Sequence, residues 1–444
     1  MELYLPDFAY QNGAIEKGTA VAVENGRIVE TGPAEALREK YPSAEKKDWA
    51  GLVLVPGTVN AHNHCFQSLL RGIATDRPFL EWRDEALYRY SQRFSPEDIY
   101  TGALFAFGEM LKCGVTTVCD FFYLHNFGTE SDEQILRAAH DLGIRLVLAR
   151  TMYDWTGAPA GYVETIEDAV ENTRALAKKY NGSGMATVLP APHSLHAASL
   201  DMVRAGHALA KELDTCFHIH VAEEPFEVEQ VKREYGGLTP LEVLDKAGVL
   251  DARTVIVHGV WLQKSEIERL GAAGGKLAYC PSSNMFLADG ITDIPAMRKA
   301  GVLIGLGSDG ACSNNRISVF EEMRMAALLQ KANTCDALCL TYKDAFAMGT
   351  ENGGELLGLP VGKLEAGYFA DFVGVRLSDL SMQPVSPSGE QILPNLVYAM
   401  QPTAIAHVVV NGRQVVENGA LLTVSEQKLV SEIARTMAHL RGEA

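Results

Sequence analysis

The sequence has no Cys-x-x-Cys pair, no excess of positive charge, and no apolar run near the ~18 residues a membrane helix needs. Each absence removes a class of function. Eight cysteines, at 65, 113, 119, 216, 280, 312, 335 and 339, stand apart, mostly in apolar surroundings. They read as reduced thiols of a cytoplasmic protein. Lys and Arg number 39 against 56 Asp and Glu, a formal net charge of −17. That balance excludes nucleic acid and anionic membranes, both of which demand a basic surface. The start, Met1 to Asp7, has neither a basic stretch nor a long apolar one, so no signal peptide is expected. No Gly-x-Gly-x-x-Gly follows an apolar strand, which leaves a dinucleotide fold unsupported. A small-molecule partner remains.

What is present is an ordinary globular composition, 47% hydrophobic and 21% charged over 444 residues. Such a chain can bury a large core, as one α/β barrel with an appendage or as two to three domains. Leu52 to His64 reads as a buried strand ending in His62-x-His64. Apolar runs follow at Val115–Phe121, Ile144–Arg150, Ala186–His193, Thr215–Val221, Thr254–Val260, Lys276–Cys280 and Val302–Ser308. Helical stretches separate them, among them Glu164–Lys179, Leu200–Glu212, Leu241–Ala247 and Val319–Gln330. Eight β and α units in alternation predict an α/β fold, a (β/α)8 TIM-type barrel, over a doubly wound open sheet. Asn25-Gly26-Arg27 and Asn411-Gly412-Arg413 mark β-hairpins near opposite ends of the chain. Both termini are therefore expected to build one small β-domain. The expected division is 1–55, N-terminal part of that domain; 56–361, the catalytic barrel; and 362–444, the remainder with a terminal helix over Ser425–Leu440. The polar stretch Asp379–Pro394 reads as a loop of the β-domain or a lid.

In a barrel, chemistry gathers at the carboxyl ends of the strands. Five of these eight runs end on His or Asp: His62 and His64, His193, His220, His258 and Asp309. Any one such histidine is more often a hydrogen-bonded core residue; all at strand ends is a pattern. His218 and His220 share a strand face, and His220, nearer the end, is the better ligand. His62, His64, His220 and Asp309 thus form a candidate set for one divalent metal ion, zinc first, with iron or manganese also suited. Hydroxide generated there would attack an electrophilic carbon while Glu223 and His258, with Asp309, move protons.

These residues resemble the amidohydrolase superfamily, in particular its single-metal aminohydrolase branch. The likeness runs through Pro56-Gly57 to His62-x-His64, Ala191-Pro192-His193, His220-x-x-Glu223, His258-Gly259, Ser308-Asp309 and Gly362 to Phe372. It implies the same metal set, the proton-transfer roles of Glu223, His258 and Asp309, and a homodimer. No lysine ends a barrel strand, which leaves a second metal without its bridge. The segments Phe79–Arg83, Phe94–Asp98 and Phe121–Tyr123 are similar to formiminoglutamate deiminases. By that resemblance Gln67, Arg83, Tyr123 and His193 hold substrate, with Trp82 beside them. An arginine expected three residues after His193 is His196 here. Cys280 to Gly290, with Asn284, resembles instead the guanine, nucleoside and triazine enzymes. Where nucleoside deaminases place a ribose-binding glutamate, this chain has Leu80, which counts against a ribose.

The reaction implied is a metal-dependent deamination or deimination. Metal-bound hydroxide adds to a C=N carbon and ammonia leaves from a small amidine-like acid or an amino-substituted N-heterocycle. Chlorohydrolase, cyclic-amide hydrolase and adenosylhomocysteine- or methylthioadenosine-type nucleoside deaminase chemistry are the alternatives. A non-catalytic structural barrel is a distant fourth, since such proteins lose the metal ligands this chain keeps.

Overall fold

Proline 56 and glycine 57 split what reads as one apolar strand into two, and the halves belong to different sheets. In the computed structural model, which describes residues 1–443, Glu45–Pro56 lies in a nine-stranded sheet and Thr58–Asn63 in the barrel. Gly57 makes the junction because nothing larger fits. A Cβ there would stand 2.1 Å from Thr116 Oγ1 and 2.3 Å from its Cγ2. The sequence expectation of a single strand is corrected accordingly. Hydropathy does not mark the break, since both flanks are buried.

The barrel strands are β1 (Thr58–Asn63), β2 (Val115–Phe122), β3 (Arg145–Met152) and β4 (Ala186–Pro192). They continue as β5 (Phe217–Val221), β6 (Thr254–His258), β7 (Lys276–Tyr279) and β8 (Leu303–Leu306). β1 to β4 form one parallel ladder and β5 to β8 another. Backbone bonds at the strand ends close them into a TIM barrel. His220 N–H donates to His193 O at 2.9 Å, and Asp309 N–H to His62 O at 3.0 Å. Nearly every strand residue is buried on both faces, which accounts for continuous apolar runs instead of alternation. The helices between strands begin on side-chain caps: Ser95, Thr165, Ser199 and Ser318 each accept a backbone N–H of the first turn.

The nine-stranded sheet draws on both ends of the chain. Phe372–Arg376 pairs with Glu45–Pro56, and Glu2–Gln11 lies on the other side of that strand. The sheet curls until the two Asn-Gly turns meet. Asn411 Oδ1 lies 2.6 Å from where a Cβ on Gly26 (φ +76°) would be. A buried ion pair ties this sheet to the barrel: Arg145 Nε and Nη2 donate to Asp371 at 2.8 and 2.9 Å. The Asn411 N–H donates to the same carboxylate. Asp379–Pro394 forms a 3-10 turn at Leu380–Met382 and leads into a helix at Ile392–Tyr398. A Cβ on Gly389 would lie 2.7 Å from Phe8, so this stretch packs on the sheet and is not a lid over the strand-end site. The helix Glu426–Arg441 is joined to the helix Pro96–Lys112 by Lys112–Glu426 and His439–Asp98.

Candidate metal centre and active site

β1 delivers two imidazoles to one point. His62 and His64 point from the same face, and their rings stand 4.8 Å apart, edge to face. Across the barrel, His62 Nε2 lies 3.2 Å from His220 Nε2 and 3.7 Å from Asp309 Oδ1. His64 Nε2 lies 3.3 Å from the same carboxylate oxygen. His64 Nδ1 meets Phe121 O at 2.5 Å, and His220 Nδ1 meets His193 O at 3.1 Å. A carbonyl only accepts, so both rings carry their proton on Nδ1 and present a bare Nε2 lone pair.

Lone pairs of this kind repel one another and the carboxylate unless a cation stands between them. Burial, with the neighbouring imidazoles, also holds His62 and His220 well below the ordinary histidine range, so protons do not serve. The separations match those between ligands on a shared tetrahedral ion, about 3.3 Å for bonds of 2.0–2.1 Å. The donor set therefore fits a divalent ion such as zinc. Within 4.8 Å of one another come three groups: His62, His64 and Asp309; His62, His220 and His258; and Glu223, His258 and Asp309. His62, His258 and Asp309 thus link these groups, and His193 stands outside all three. His258, assigned to proton transfer, also stands within reach of the imidazole set.

The backbone is bent to achieve this. Ala222, His258 and Asp309 all take positive φ, at 53°, 67° and 58°, where non-glycine residues are disfavoured. Each lies just beyond or at the end of a strand, and the turn aims the adjoining side chain inward. Asp309 Oδ2 accepts from Ser283 Oγ at 2.6 Å and from Ser313 Oγ at 3.0 Å, while Gly310 N–H donates to Oδ1 at 2.7 Å. Burial opposes its ionisation, but His64, His258 and these donors outweigh it and hold Asp309 below the usual carboxylate range. Glu223 behaves oppositely. Burial, then Asp309 and Glu224, raise its carboxyl well above the usual range. Its Oε1 faces His258 Nε2 at 3.3 Å, and His258 Nδ1 meets Asn284 Oδ1 at 2.9 Å.

Around these groups lies a small cavity of about 60 Å³ lined by His64, Gln67, Trp82, Arg83, Tyr123, His193, His196, His220, Glu223, His258 and Asp309. A cleft of about 710 Å³ elsewhere, between the helices Pro96–Lys112 and Glu426–Arg441, holds none of the strand-end residues. Among the sequence-assigned substrate residues, Gln67 donates to Tyr123 OH at 3.2 Å, and Trp82 Nε1 donates to Cys312 O at 3.1 Å. Arg83 pairs with Asp84 at 2.8 Å and lies over the Tyr88 ring at 4.5 Å. Asn284 does not line the cavity; it is bonded to His258 behind it. His218, in the deeper layer, contacts Ala61 O at 3.3 Å.

Sequence reasoning missed the supports. Ser283 and Ser313 hold Asp309, and Asn60 Nδ2 donates to Ser308 Oγ at 2.7 Å. Asp120 accepts from Asn63 Nδ2 and from Cys65 N–H, both at 2.7 Å, fixing the turn after His64. Tyr88, Tyr153 and Tyr162 also line the cavity. Of these, only the polar residues inside otherwise apolar strands, Asn60, Asn63 and Asp120, carried a signal.

Comparison with known proteins finds relatives along nearly the whole chain. The model of the Amidohydrolase family matches residues 53–415, and that of an imidazolonepropionase-like composite domain of bacteria matches residues 20–44. The chain is 34% identical over 438 residues to a 5-methylthioadenosine/S-adenosylhomocysteine deaminase of Pelotomaculum thermopropionicum, covering 98% of this chain and 95% of that one. Its fold superposes on an adenosine deaminase from Xanthomonas campestris with bound zinc (TM-score 0.92, 28% identity), covering 99% of this chain and 98% of that one. It also superposes on an atrazine chlorohydrolase from Arthrobacter aurescens, complexed with zinc and atraton (TM-score 0.91, 23% identity), covering 98% and 100%.

Proposed function

The chain belongs to the amidohydrolase family, and we propose that it is a metal-dependent aminohydrolase releasing ammonia from an amino-substituted N-heterocycle. One observation carries this reading. A buried carboxyl, Glu223, faces His258 across 3.3 Å beside converging imidazole lone pairs and the Asp309 carboxylate. His62, His64, His220 and Asp309 would hold the ion, and we infer zinc. A divalent cation bound there supplies Lewis acidity and lowers the pKa of water toward neutrality.

The rest of the chemistry belongs to the chain. Glu223, whose burial favours the protonated carboxyl, gives its proton to the ring nitrogen of the C=N bond under attack and recovers one from the new hydroxyl group as the carbonyl forms. Asp309, ionised at the start, accepts a proton from the attacking water and hands it to the departing nitrogen, a poor leaving group until protonated. His258, held at Nδ1 by Asn284, orients Glu223 by accepting from its carboxyl at Nε2. Trp82, Tyr88, Tyr123, Tyr153 and Tyr162 make a wall of planar rings that suits a flat heterocycle. The cavity is small and Glu223, His258 and Asp309 are buried in it, which limits the water around the reacting groups.

The relatives named above support a nucleoside as the first substrate to try, 5′-methylthioadenosine before adenosine. Arg83 favours a second reading, a small amidine-like acid whose carboxylate meets its guanidinium. Ammonia release by zinc-loaded protein, measured over both substrate classes, separates the two. Eight free cysteines with no disulfide support a cytoplasmic, reducing compartment, and we infer a homodimer.

A further inference from the structure

Ser194 stands between two imidazoles of the substrate cavity. Its Oγ lies 3.0 Å from His193 Nδ1 and 3.0 Å from His196 Nδ1. The serine is fully buried, so no water competes for its hydroxyl. One hydroxyl has one proton. It can donate to one ring and must accept from the other, so the two histidines cannot be the same tautomer. His196 is neutral, held down to about 4 by burial, with Arg83 adding to the effect.

The choice between the two arrangements falls to Glu227. Its carboxylate is almost wholly buried, and Oε1 lies 4.0 Å from His196 Nδ1. The same group accepts Glu223 N–H at 2.9 Å and Ala222 N–H at 3.2 Å. Burial pushes the Glu227 carboxyl up to about 7, but both of its oxygens already accept N–H groups, so the oxygen facing His196 Nδ1 acts as an acceptor and favours the proton on that nitrogen. His196 Nδ1–H then donates to Ser194 Oγ, and Ser194 O–H donates to His193 Nδ1. This leaves the His193 proton on Nε2 and the His196 Nε2 bare. Neither Nε2 has a partner among the described residues, and both rings line the cavity.

We infer that Ser194 and Glu227 are positioning residues that fix opposite tautomers of His193 and His196, so that the cavity offers substrate an N–H donor from His193 and an acceptor from His196. His193 stacks on His220 at 4.8 Å, so the donor lies on the metal side; His196 packs near Phe226, 6.0 Å away, toward the outside. The matching ligand is an N-heterocycle with an acceptor, a ring nitrogen or carbonyl, close to the reacting carbon. It also carries an N–H or O–H donor on its outer part. An aromatic hydrocarbon or a purely accepting ring would leave one histidine unpaired at a cost.

This rests on the cavity being the active site, but its test does not need turnover. In zinc-loaded protein labelled with 15N-histidine, long-range proton–nitrogen correlation reads which ring nitrogen carries the proton. The two signals are assigned by their loss in His193→Asn and His196→Asn. We expect Nε2–H for His193 and Nδ1–H for His196. Ser194→Ala should turn both into tautomer mixtures, Ser194→Thr should restore them, and Glu227→Gln should weaken the preference at His196. A wild-type spectrum with Nδ1–H on His193, or one unchanged in Ser194→Ala, overturns the inference. If Ser194→Ala does not fold, the wild-type spectrum alone decides. Absence of ammonia release with the expected tautomers would refute the proposed reaction and leave this assignment standing.

Discussion

The backbone N–H of Asp309 donates to the carbonyl of His62 at 3.0 Å, and the two side chains meet 3.7 Å apart at the site. One bond thus closes the barrel between β8 and β1 and sets the distance between two metal-ligand candidates. Fold and chemistry are joined at this seam. Substitutions here should separate metal binding from proton transfer.

Glu223→Gln keeps the shape of the loop, because Glu227 holds the backbone of residue 223 and not its side chain. The variant should bind metal like wild type and lose roughly 10²–10⁴-fold in kcat. Metal content by elemental analysis and ammonia release on the same sample check both halves.

His64→Ala and Asp309→Ala remove donors from the converging set and should lose the ion. After chelation and reloading, wild type should regain one zinc per chain and each variant markedly less. Equal zinc in all three would remove these residues from the ligand set.

Gly57→Ala places a methyl group 2.1 Å from Thr116 Oγ1, with Thr116 Cβ also inside contact distance. Overpacking of this kind costs ~1–3 kcal/mol, and here the backbone has no room to yield. Thermal unfolding should show a clearly lower Tm and reduced soluble yield.

Arg145→Met leaves Asp371 charged and buried without its guanidinium, although the Asn411 N–H still donates to it. Breaking a buried pair in this way costs about 3–5 kcal/mol. The loss should appear in denaturant unfolding. A change near zero would show that the pair contributes nothing to holding the sheet on the barrel.

Glu322 supplies a pH dependence. Wholly buried in the helix Val319–Thr334, its carboxyl is pushed up to about 8 by burial, against donors from Asn314 and Ser282. The folded state therefore holds a proton that the unfolded chain has lost. Stability from this group is complete below the ordinary carboxylate range and declines as pH rises toward 8, by on the order of 1 kcal/mol per unit. Tm measured from pH 5 to 8 should fall less steeply in Glu322→Gln than in wild type.

The strands, their parallel order and the ligand candidates were legible because each rests on local spacing. His62 and His64 share a face by the two-residue period, and apolar runs mark buried parallel strands. The break at Gly57 was not legible, since its cause is Thr116, far along the chain. Asn284 was assigned to substrate, but its Oδ1 is bonded to His258, a partner 26 residues away. Ser194 and Glu227 carried no signal in the sequence, because their contacts with His193 and His196 exist only where the segments after β4 and β5 lie side by side. The polar stretch Asp379–Pro394 gave no sign of which surface it would cover.

The measurement that tests the central claim most directly is ammonia release from 5′-methylthioadenosine by zinc-loaded wild type and by Glu223→Gln carrying equal zinc. The account predicts steady release from wild type and almost none from the variant. Equal release from both, or none from wild type with this or any other amino-heterocycle, would contradict it.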